Sequence, residues 1–279
     1  MDVRFLATFL EVAQTRHFGK AAENLYLTQS AVSARIRLLE EYFNTSLFIR
    51  NRNSIQLTTA GEKLIPYAES LSSTLSDARK ALNEADVNYL VCGATPNACE
   101  LFLNNALIRM NASFPDLSIR AEMLNAEQLS RQLHERVVDV AFSTEPLKSD
   151  DVENVPIDSA ILGLYSSDGT NVEDELQNYI HVEWNAKTSE SLYQLYPAAR
   201  RAAFKTNSLS IATNYIRSKG GCVLLTENLA KRLKVIRNIE LIESMESLSV
   251  TTYLVYLKDI KNSSLSEFIT FYQSKVFSS

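Results

Sequence analysis

Apolar residues recur at helical spacing through the first eighty positions, and the rhythm then changes. Leu6, Phe9, Leu10 and Ala13 follow i, i+3, i+4, i+7, which predicts an amphipathic helix over residues 2–15. A short helix is expected around Gly19–Asn24, where Ala21 and Ala22 are small enough for close helix packing, with Tyr26-Leu27 as the turn after it. Thr28 is a good N-cap for the next helix, because its hydroxyl can accept from a free backbone N–H. In that helix Val32, Ile36 and Leu39 share one face. Gln29, Ser30, Ser33 and Arg37 fall on another face, and Arg35 lies to the side, better placed for a phosphate. The helix should stop near Phe43-Asn44, since Asn tolerates the left-handed conformation that ends helices.

Two short β-prone pieces follow within Leu47–Leu57, flanking a polar tip that carries Arg50 and Arg52, which reads as a hairpin or wing. A long helix comes next. Thr58 or Thr59 would cap it, and Thr59 with Glu62 fits a capping box. Leu64, Ala68, Leu71, Leu75, Ala78 and Leu82 are spaced 4, 3, 4, 3, 4, a heptad seam suited to pairing with a second copy of the chain.

After Asp86 strands alternate with helices. Strands are expected at Tyr89–Thr95, Leu117–Leu124 and Val138–Ser143, with helices from Pro96 to about Ser113 and over Ala126–Arg136. This βαβαβ order implies a parallel sheet. A second group has strands near Ala160–Tyr165, Tyr179–Glu183, Arg201–Lys205, Cys222–Leu225 and Thr251–Leu257. Its helices lie near Glu190–Leu195, Ser208–Ser218 and Glu227–Leu233, and a last amphipathic helix carries Leu265, Phe268, Ile269, Tyr272 and Val276.

Charge sharpens this picture. The 279 residues carry a net charge of −5, which alone argues against a polyanion partner. The distribution is uneven: residues 1–58 hold seven Lys/Arg against five Asp/Glu, and Arg16–Arg52 hold six against three. The basic surplus sits where groove-facing elements would be, and phosphate attraction acts only within about 10 Å at moderate salt. A helix with an apolar back, a Gln/Ser/Arg front and a basic wing is the build of a protein that inserts a helix into the DNA major groove.

Other chemistry is sparse. No run of about 18 or more apolar residues predicts a membrane span. The first residues, MDVRFLATFLEVA, carry Asp2, Arg4 and Glu11 and read as an amphipathic helix, not a signal peptide. Cys92, Cys99 and Cys222 form no CxxC and no Cys/His cluster at metal spacing, so reduced core thiols are expected, with no metal and no cofactor. His17, His134 and His181 lie far apart, with His134 on a surface-type helix (QLHER), and no G-x-S-x-G, P-loop or HExxH is present. An enzyme is not expected.

The run AAENLYLTQSAVSARIRLLEE, then LF-x-R, then LTTAG, closely resembles the N-terminal domain of LysR-type transcriptional regulators. The likeness extends over the whole chain, more weakly after residue 90. Within the family, TRHFGKAAE, LYLTQSAVSARIR and AGEKLIPYAE are most similar to regulators of the flagellar master operon. The resemblance implies a winged helix-turn-helix domain (1–58), a linker and dimerisation helix (59–86), and a two-lobed α/β domain (87–279) like a periplasmic binding protein. It places Gln29, Ser30 and Ser33 at the DNA-facing start of the recognition helix and Arg50 and Arg52 in the wing. Ala34 departs from the pattern, standing where many members carry Arg, and Phe43-Asn44 replaces a common Leu-Gly.

An effector would sit between the lobes, at strand C-termini and helix N-termini. The candidate residues are Thr95, Pro96 and Asn97 in one lobe, Thr206, Asn207 and Ser208 in the other, and Ser143 and Thr144 near the hinge. No Arg or Lys sits at these junctions, so a strongly anionic ligand is not indicated. Expected partners are double-stranded promoter DNA, a second copy of the chain as dimer or tetramer, a small-molecule effector and RNA polymerase, in the cytoplasm and on the nucleoid. The rival reading is an architectural DNA binder whose C-terminal domain only oligomerises. A closed, apolar-plugged cleft would favour that rival; an open polar cleft would favour a sensor.

Overall fold

A computed structural model of the chain describes residues 3–51, 54–83, 88–260 and 263–276. Its N-terminal part contains α1 (Arg4–Thr15), α2 (Phe18–Asn24) and α3 (Gln29–Phe43), followed by the wing strands β1 (Phe48–Asn51) and β2 (Ser54–Leu57) and the long helix α4 (Thr59–Asn83). The apolar stripes meet as their spacing demands: Leu6, Phe9 and Val12 of α1 and Val32, Ile36 and Leu39 of α3 are fully buried in one core. Local chemistry sets the ends. His17 Nδ1 caps α2 by accepting from Lys20 N–H at 3.1 Å, and Thr28 Oγ1 caps α3 by accepting from Ala31 N–H at 3.2 Å. Asn44 ends α3 in the left-handed conformation, φ 48°.

The N-cap of α4 is Thr58, whose hydroxyl accepts from Gly61 N–H at 3.0 Å. The third helical residue is then Gly61, not Glu62, so the Thr59–Glu62 capping box does not form. Gly61 is required for packing: a Cβ there would meet the Leu47 carbonyl oxygen at 2.3 Å.

The second part is built on one eight-stranded sheet of order β4-β3-β5-β10-β6-β9-β7-β8. Its first lobe holds β3 (Asn88–Ala94), β4 (Leu117–Met123) and β5 (Val140–Ser143), in which β3 runs parallel to both neighbours, with α7 (Ala126–His134) between β4 and β5. The second lobe holds β7 (Tyr179–Val182), β8 (Phe204–Thr206) and β9 (Cys222–Thr226), with α8 (Val172–Glu175), α9 (Ala186–Leu195), α10 (Leu209–Lys219) and α11 (Glu227–Lys234) around them. The helix α12 (Ser263–Val276) returns to the first lobe, where Phe268 is fully buried.

Two long antiparallel strands, β6 (Val152–Ser166) and β10 (Glu240–Leu257), pass through both lobes. Leu257↔Val152 pairs in the first lobe and Glu240↔Ser166 in the second, with register shifts near Met245/Ser249 and Thr252/Tyr253. Both strands are far longer than their apolar cores predict. Val152–Ser159 contains Pro156, Asp158 and Glu153, and Glu240–Ser249 is polar, so neither half alternates strongly. Cross-strand pairing supplies what local preference lacks. The helix expected from Pro96 to Ser113 is also interrupted: a three-residue turn α5 (Pro96–Ala98) enters a π turn over Cys99–Leu103 before α6 (Asn104–Ser113). Such turns concentrate at functional sites. The strand expected at Arg201–Lys205 is Phe204–Thr206, preceded by a 3-10 turn at Pro197–Arg201.

Candidate DNA-reading face and regulatory cleft

Burying Val32, Ile36 and Leu39 turns the opposite side of α3 outward. Gln29, Ser30, Ala34 and Arg37 are exposed and Ser33 is half-buried. Ser30 Oγ lies 3.0 Å from Thr28 Oγ1, at the start of the helix, where short side chains let the backbone approach a base edge. Arg37 Nε donates to Glu41 Oε1 at 2.8 Å, but both side chains are more than half exposed, so this pairing is weak and easily exchanged for a phosphate. Arg35 is half-buried, and its Nη1 donates to Thr8 Oγ1 at 3.1 Å, which ties α3 to α1 on the flank of the helix.

The wing is tied to the recognition helix through Glu40. Its Oε1 accepts from the backbone N–H of Leu47 and Phe48 at 2.9 and 3.2 Å, and its Oε2 accepts from Arg50 Nη2 at 3.1 Å. The Arg50 guanidinium also lies over the Phe18 ring, 5.1 Å from its centroid. Arg50 therefore fixes the wing's base and offers a half-exposed cation beside α3, while Arg52 lies outside the described residues.

The heptad seam of α4 divides into two sides. Ala68 is fully buried and Leu64 half-buried, both packed in the DNA-binding domain's own core. Leu75 is half-buried beside Val3, Arg4 and Ala7 of the same domain. Those three face inward because α4 crosses α1 there. Leu71 is 48% and Tyr67 67% exposed, Ala78 is exposed too, and the Leu82 side chain lies outside the described part. The outward stripe is thus Tyr67–Leu71–Ala78, rotated slightly from the sequence-derived seam.

Between the lobes lies an open cleft of about 630 Å³. Thr95, Pro96, Asn97, Ser143, Thr144 and Asn207 line it, as expected; Thr206 and Ser208 do not. Their hydroxyls are spent locally: Thr206 Oγ1 accepts from Ser208 N–H at 3.1 Å, and Ser208 Oγ caps α10. Asn97 is buried and spans the lobes, its Nδ2 donating to the Glu183 carbonyl at 3.1 Å and its Oδ1 accepting from Leu209 N–H at 3.1 Å. Thr95 Oγ1 is buried against the cleft with no protein hydrogen-bond partner among the described residues.

The sequence reading missed Trp184, His181, Tyr193 and Tyr26 in this wall. Trp184 Nε1 donates to the Leu224 carbonyl at 3.1 Å, which leaves the ring edge to the cleft. His181 stacks on Tyr193 with centroids 5.5 Å apart, and burial, then the nearby Lys205 charge, hold its pKa below the usual histidine range. Tyr26 comes from the helix-turn-helix turn, at φ 51°. Among the described lining residues the charged ones are Glu145 and Glu183, while Lys205 and Arg200 stand behind the wall at His181 and Tyr193. The walls suit a neutral or weakly cationic polar molecule.

A buried polar junction joins the DNA-binding domain to the first lobe. Ser130 Oγ donates to the Asn24 carbonyl at 2.9 Å, Asn24 Nδ2 donates to Glu11 Oε1 at 2.7 Å, and Lys20 pairs with Asp150 at the rim. His134, expected on a surface, has a side chain only 6% exposed, with Nε2 3.4 Å from Glu11 Oε2 and 3.1 Å from Asp151 Oδ1. Burial opposes its charge, but hydrogen bonds to Asp151 and Glu11 outweigh burial and carry its pKa up to about 10. The correction has a plain cause: α7 is covered by another domain, which its own amphipathic pattern cannot reveal. The one local signal was Thr8, Glu11 and Thr15 on one side of α1, a polar stripe of which Thr8 and Glu11 are buried. All three cysteines are buried, and burial pushes each thiol up, Cys99 to about 11, so none is poised as a thiolate.

A winged helix-turn-helix with an outward polar face on α3, joined by a long helix to a two-lobed α/β domain with a cleft between the lobes, is the architecture of a DNA-binding regulator. The sequence matches the model of the bacterial regulatory helix-turn-helix protein, lysR family, over residues 3–62 and that of the LysR substrate binding domain over residues 88–276. The chain belongs to the LysR family of transcriptional regulators. It is 39% identical over 236 residues to the HTH-type transcriptional regulator HdfR of an Escherichia coli strain, covering 83% of this chain and 84% of that protein. It is 38% identical over 243 residues to HdfR of Yersinia pestis, covering 83% of each. Among solved structures, the LysR regulator CbnR superposes with a TM-score of 0.54 at 18% identity over 98% of this chain and all of CbnR. CrgA from Neisseria meningitidis gives 0.55 at 19% identity over 99% of both. These share the fold. The chain is a DNA-binding transcriptional regulator and not an enzyme.

Proposed function

We propose that the chain reads a promoter dyad as a dimer, using Gln29, Ser30, Ser33 and Arg37 of α3 for base edges and adjacent phosphates, and Arg50 with Arg52 of the wing for the flanking backbone. The observation that carries this reading is the outward polar face of α3, set opposite the fully buried Val32, Ile36 and Leu39. The Tyr67–Leu71–Ala78 stripe of α4 supplies a pairing surface, and two paired recognition helices would read half-sites about 34 Å, or a multiple, apart. Support for the flagellar master operon as the target is the resemblance to its regulators together with 38–40% identity to HdfR proteins. RNA polymerase recruitment or exclusion at that promoter would be the output.

The cleft favours a ligand-sensing regulator over an architectural DNA binder, because it is open, about 630 Å³ in volume, and sets polar groups such as Thr95, Asn97 and Ser143 beside aromatic rings instead of being plugged by apolar side chains. Its ligand is a neutral or weakly cationic polar molecule that engages Thr95, Asn97 and Ser143. It acts only through different affinities for two arrangements of the lobes and DNA-binding domains. Genome-wide mapping of bound DNA, followed by gel-shift titration of the recovered sites, tests the reading. Ser33→Ala and Arg37→Ala should each narrow the gap between specific and non-specific DNA by about 1–3 kcal/mol. Unchanged discrimination in both variants, or sites far from flagellar promoters, would reject the corresponding part.

A further inference from the structure

Glu11, His134 and Asp151 converge from three segments that neither the DNA face nor the cleft employs. Glu11 lies on α1, His134 at the end of α7, and Asp151 just before β6. Their nearest ligand-type atoms all lie within 4.8 Å of one another, and His134 Nε2 is 3.4 Å from Glu11 Oε2 and 3.1 Å from Asp151 Oδ1. Ligands bound to one cation at about 2.0–2.2 Å are themselves about 3 Å apart, so the two measured separations are those of adjacent ligands.

Each group is also held from behind, as metal ligands are. His134 Nδ1 is 2.6 Å from the Ser130 carbonyl, so Nδ1–H donates there and Nε2 faces the carboxylates. Glu11 Oε1 accepts from Asn24 Nδ2 at 2.7 Å, which turns Oε2 toward His134. The Ser149 hydroxyl donates to Asp151 Oδ1 and lies 3.4 Å from Glu11 Oε2, adding a further oxygen at the same point. A cavity of about 410 Å³ lined by Glu11, His134 and Asp151 gives an entry path and room for water ligands. One imidazole with two carboxylates and open positions suits a divalent ion such as Zn²⁺ or Mn²⁺.

We propose that Glu11, His134 and Asp151 form a divalent transition-metal site that fastens the DNA-binding domain to the first regulatory lobe. The cation takes the place that a proton holds between Nε2 and the two carboxylates. Because Glu11 belongs to one domain and His134 and Asp151 to the other, the complete site exists only in the docked arrangement. Metal binding therefore favours that arrangement by mass action and fixes where α3 points relative to the lobes. The proposal stands independently of any ligand in the cleft.

The test uses the tag-free full chain, freed of metal by chelator dialysis and titrated separately with zinc chloride and manganese chloride. Calorimetry should give one ion per chain for at least one of the two metals, and the same metal should raise the melting temperature. Glu11→Gln and Asp151→Asn should each weaken uptake at least ten-fold and lose the thermal shift. A wild-type chain that takes up neither ion, or folded variants that bind as tightly as wild type, would overturn the site. Should circular dichroism show that the variants do not fold, anomalous scattering from metal-soaked wild-type crystals decides. A peak between the three side chains supports the proposal, and its absence there rejects it.

Discussion

The recognition face and the cleft are both polar surfaces in one chain, but they are built in opposite ways. On α3, Gln29, Ser30 and Arg37 stand on the outside of a helix that buried Val32, Ile36 and Leu39 hold in place. Their partners are few and exposed, and the fold does not depend on them. In the cleft, Asn97 is buried and hydrogen-bonded across both lobes, and Trp184 is anchored through Leu224. There Asn97, which would meet a ligand, also ties the lobes together, and Trp184 is fixed within the second lobe. The first surface can change its specificity at little cost in stability. The second cannot change at Asn97 without disturbing the arrangement of the lobes.

The sharpest way to break this contrast is to strike beneath the DNA face, not on it. Ile36→Ala removes a fully buried side chain from the N-terminal core and should cost about 2–5 kcal/mol. Urea unfolding should show the loss, and DNA binding should fall with it. A variant that keeps full stability would mean that α3 is not supported from below. Within α4, Leu71→Glu should leave the melting temperature nearly unchanged and yield monomers by light scattering, since Leu71 faces outward. Ala68→Glu should instead unfold the DNA-binding domain, because Ala68 has no exposed surface. A dimer that survives Leu71→Glu would reject the outward stripe as the pairing surface.

In the cleft, Asn97→Ala deletes that residue's two interlobe hydrogen bonds and leaves a buried Leu209 N–H without its acceptor. The expected cost is about 1–3 kcal/mol. Trp184, the one tryptophan in the chain and 3% exposed, reports it directly: acrylamide should quench its fluorescence more readily as the lobes loosen. Unchanged quenching with unchanged stability would show that Asn97 does not hold the lobes.

The same contrast governs what the sequence reveals. The recognition face is a local pattern, since Val32, Ile36 and Leu39 at helical spacing dictate that Ser33 and Arg37 point elsewhere. Thr28 and Asn44 mark the helix ends by their own chemistry. The Arg35–Thr8 hydrogen bond was not legible, because Thr8 lies on another helix. Thr95 and Ser143 were legible as strand ends and Asn97 as a helix start, where parallel-sheet proteins bind ligands. Trp184, His181 and Tyr26 were not, because only the paths of β6 and β10 and the docking of the N-terminal domain bring them there. The junction of Glu11, His134 and Asp151 was least legible of all, its members lying 123 and 17 positions apart in the chain.

The smallest effect tests the cleft's electrostatics. His181 packs on Tyr193, with Ser189 Oγ 3.3 Å from its Nε2, and its folded-state pKa lies below the ordinary 6.5 because burial and then Lys205 disfavour the imidazolium. The unfolded chain therefore binds a proton at this position more readily than the folded one. Folding stability from this residue is fully present above about pH 6.5, and is lost as pH falls below that value toward the lower folded pKa. His181→Gln has no proton to take up, so its melting temperature should fall less than the wild type's between pH 7.5 and 5.5. The difference should be confined to that window, because the remaining titrating groups are common to both proteins. Parallel melting curves for the two chains across the window would mean that His181 is as free to ionise as an exposed histidine. The cleft would then be no more committed to its internal contacts than the DNA face is.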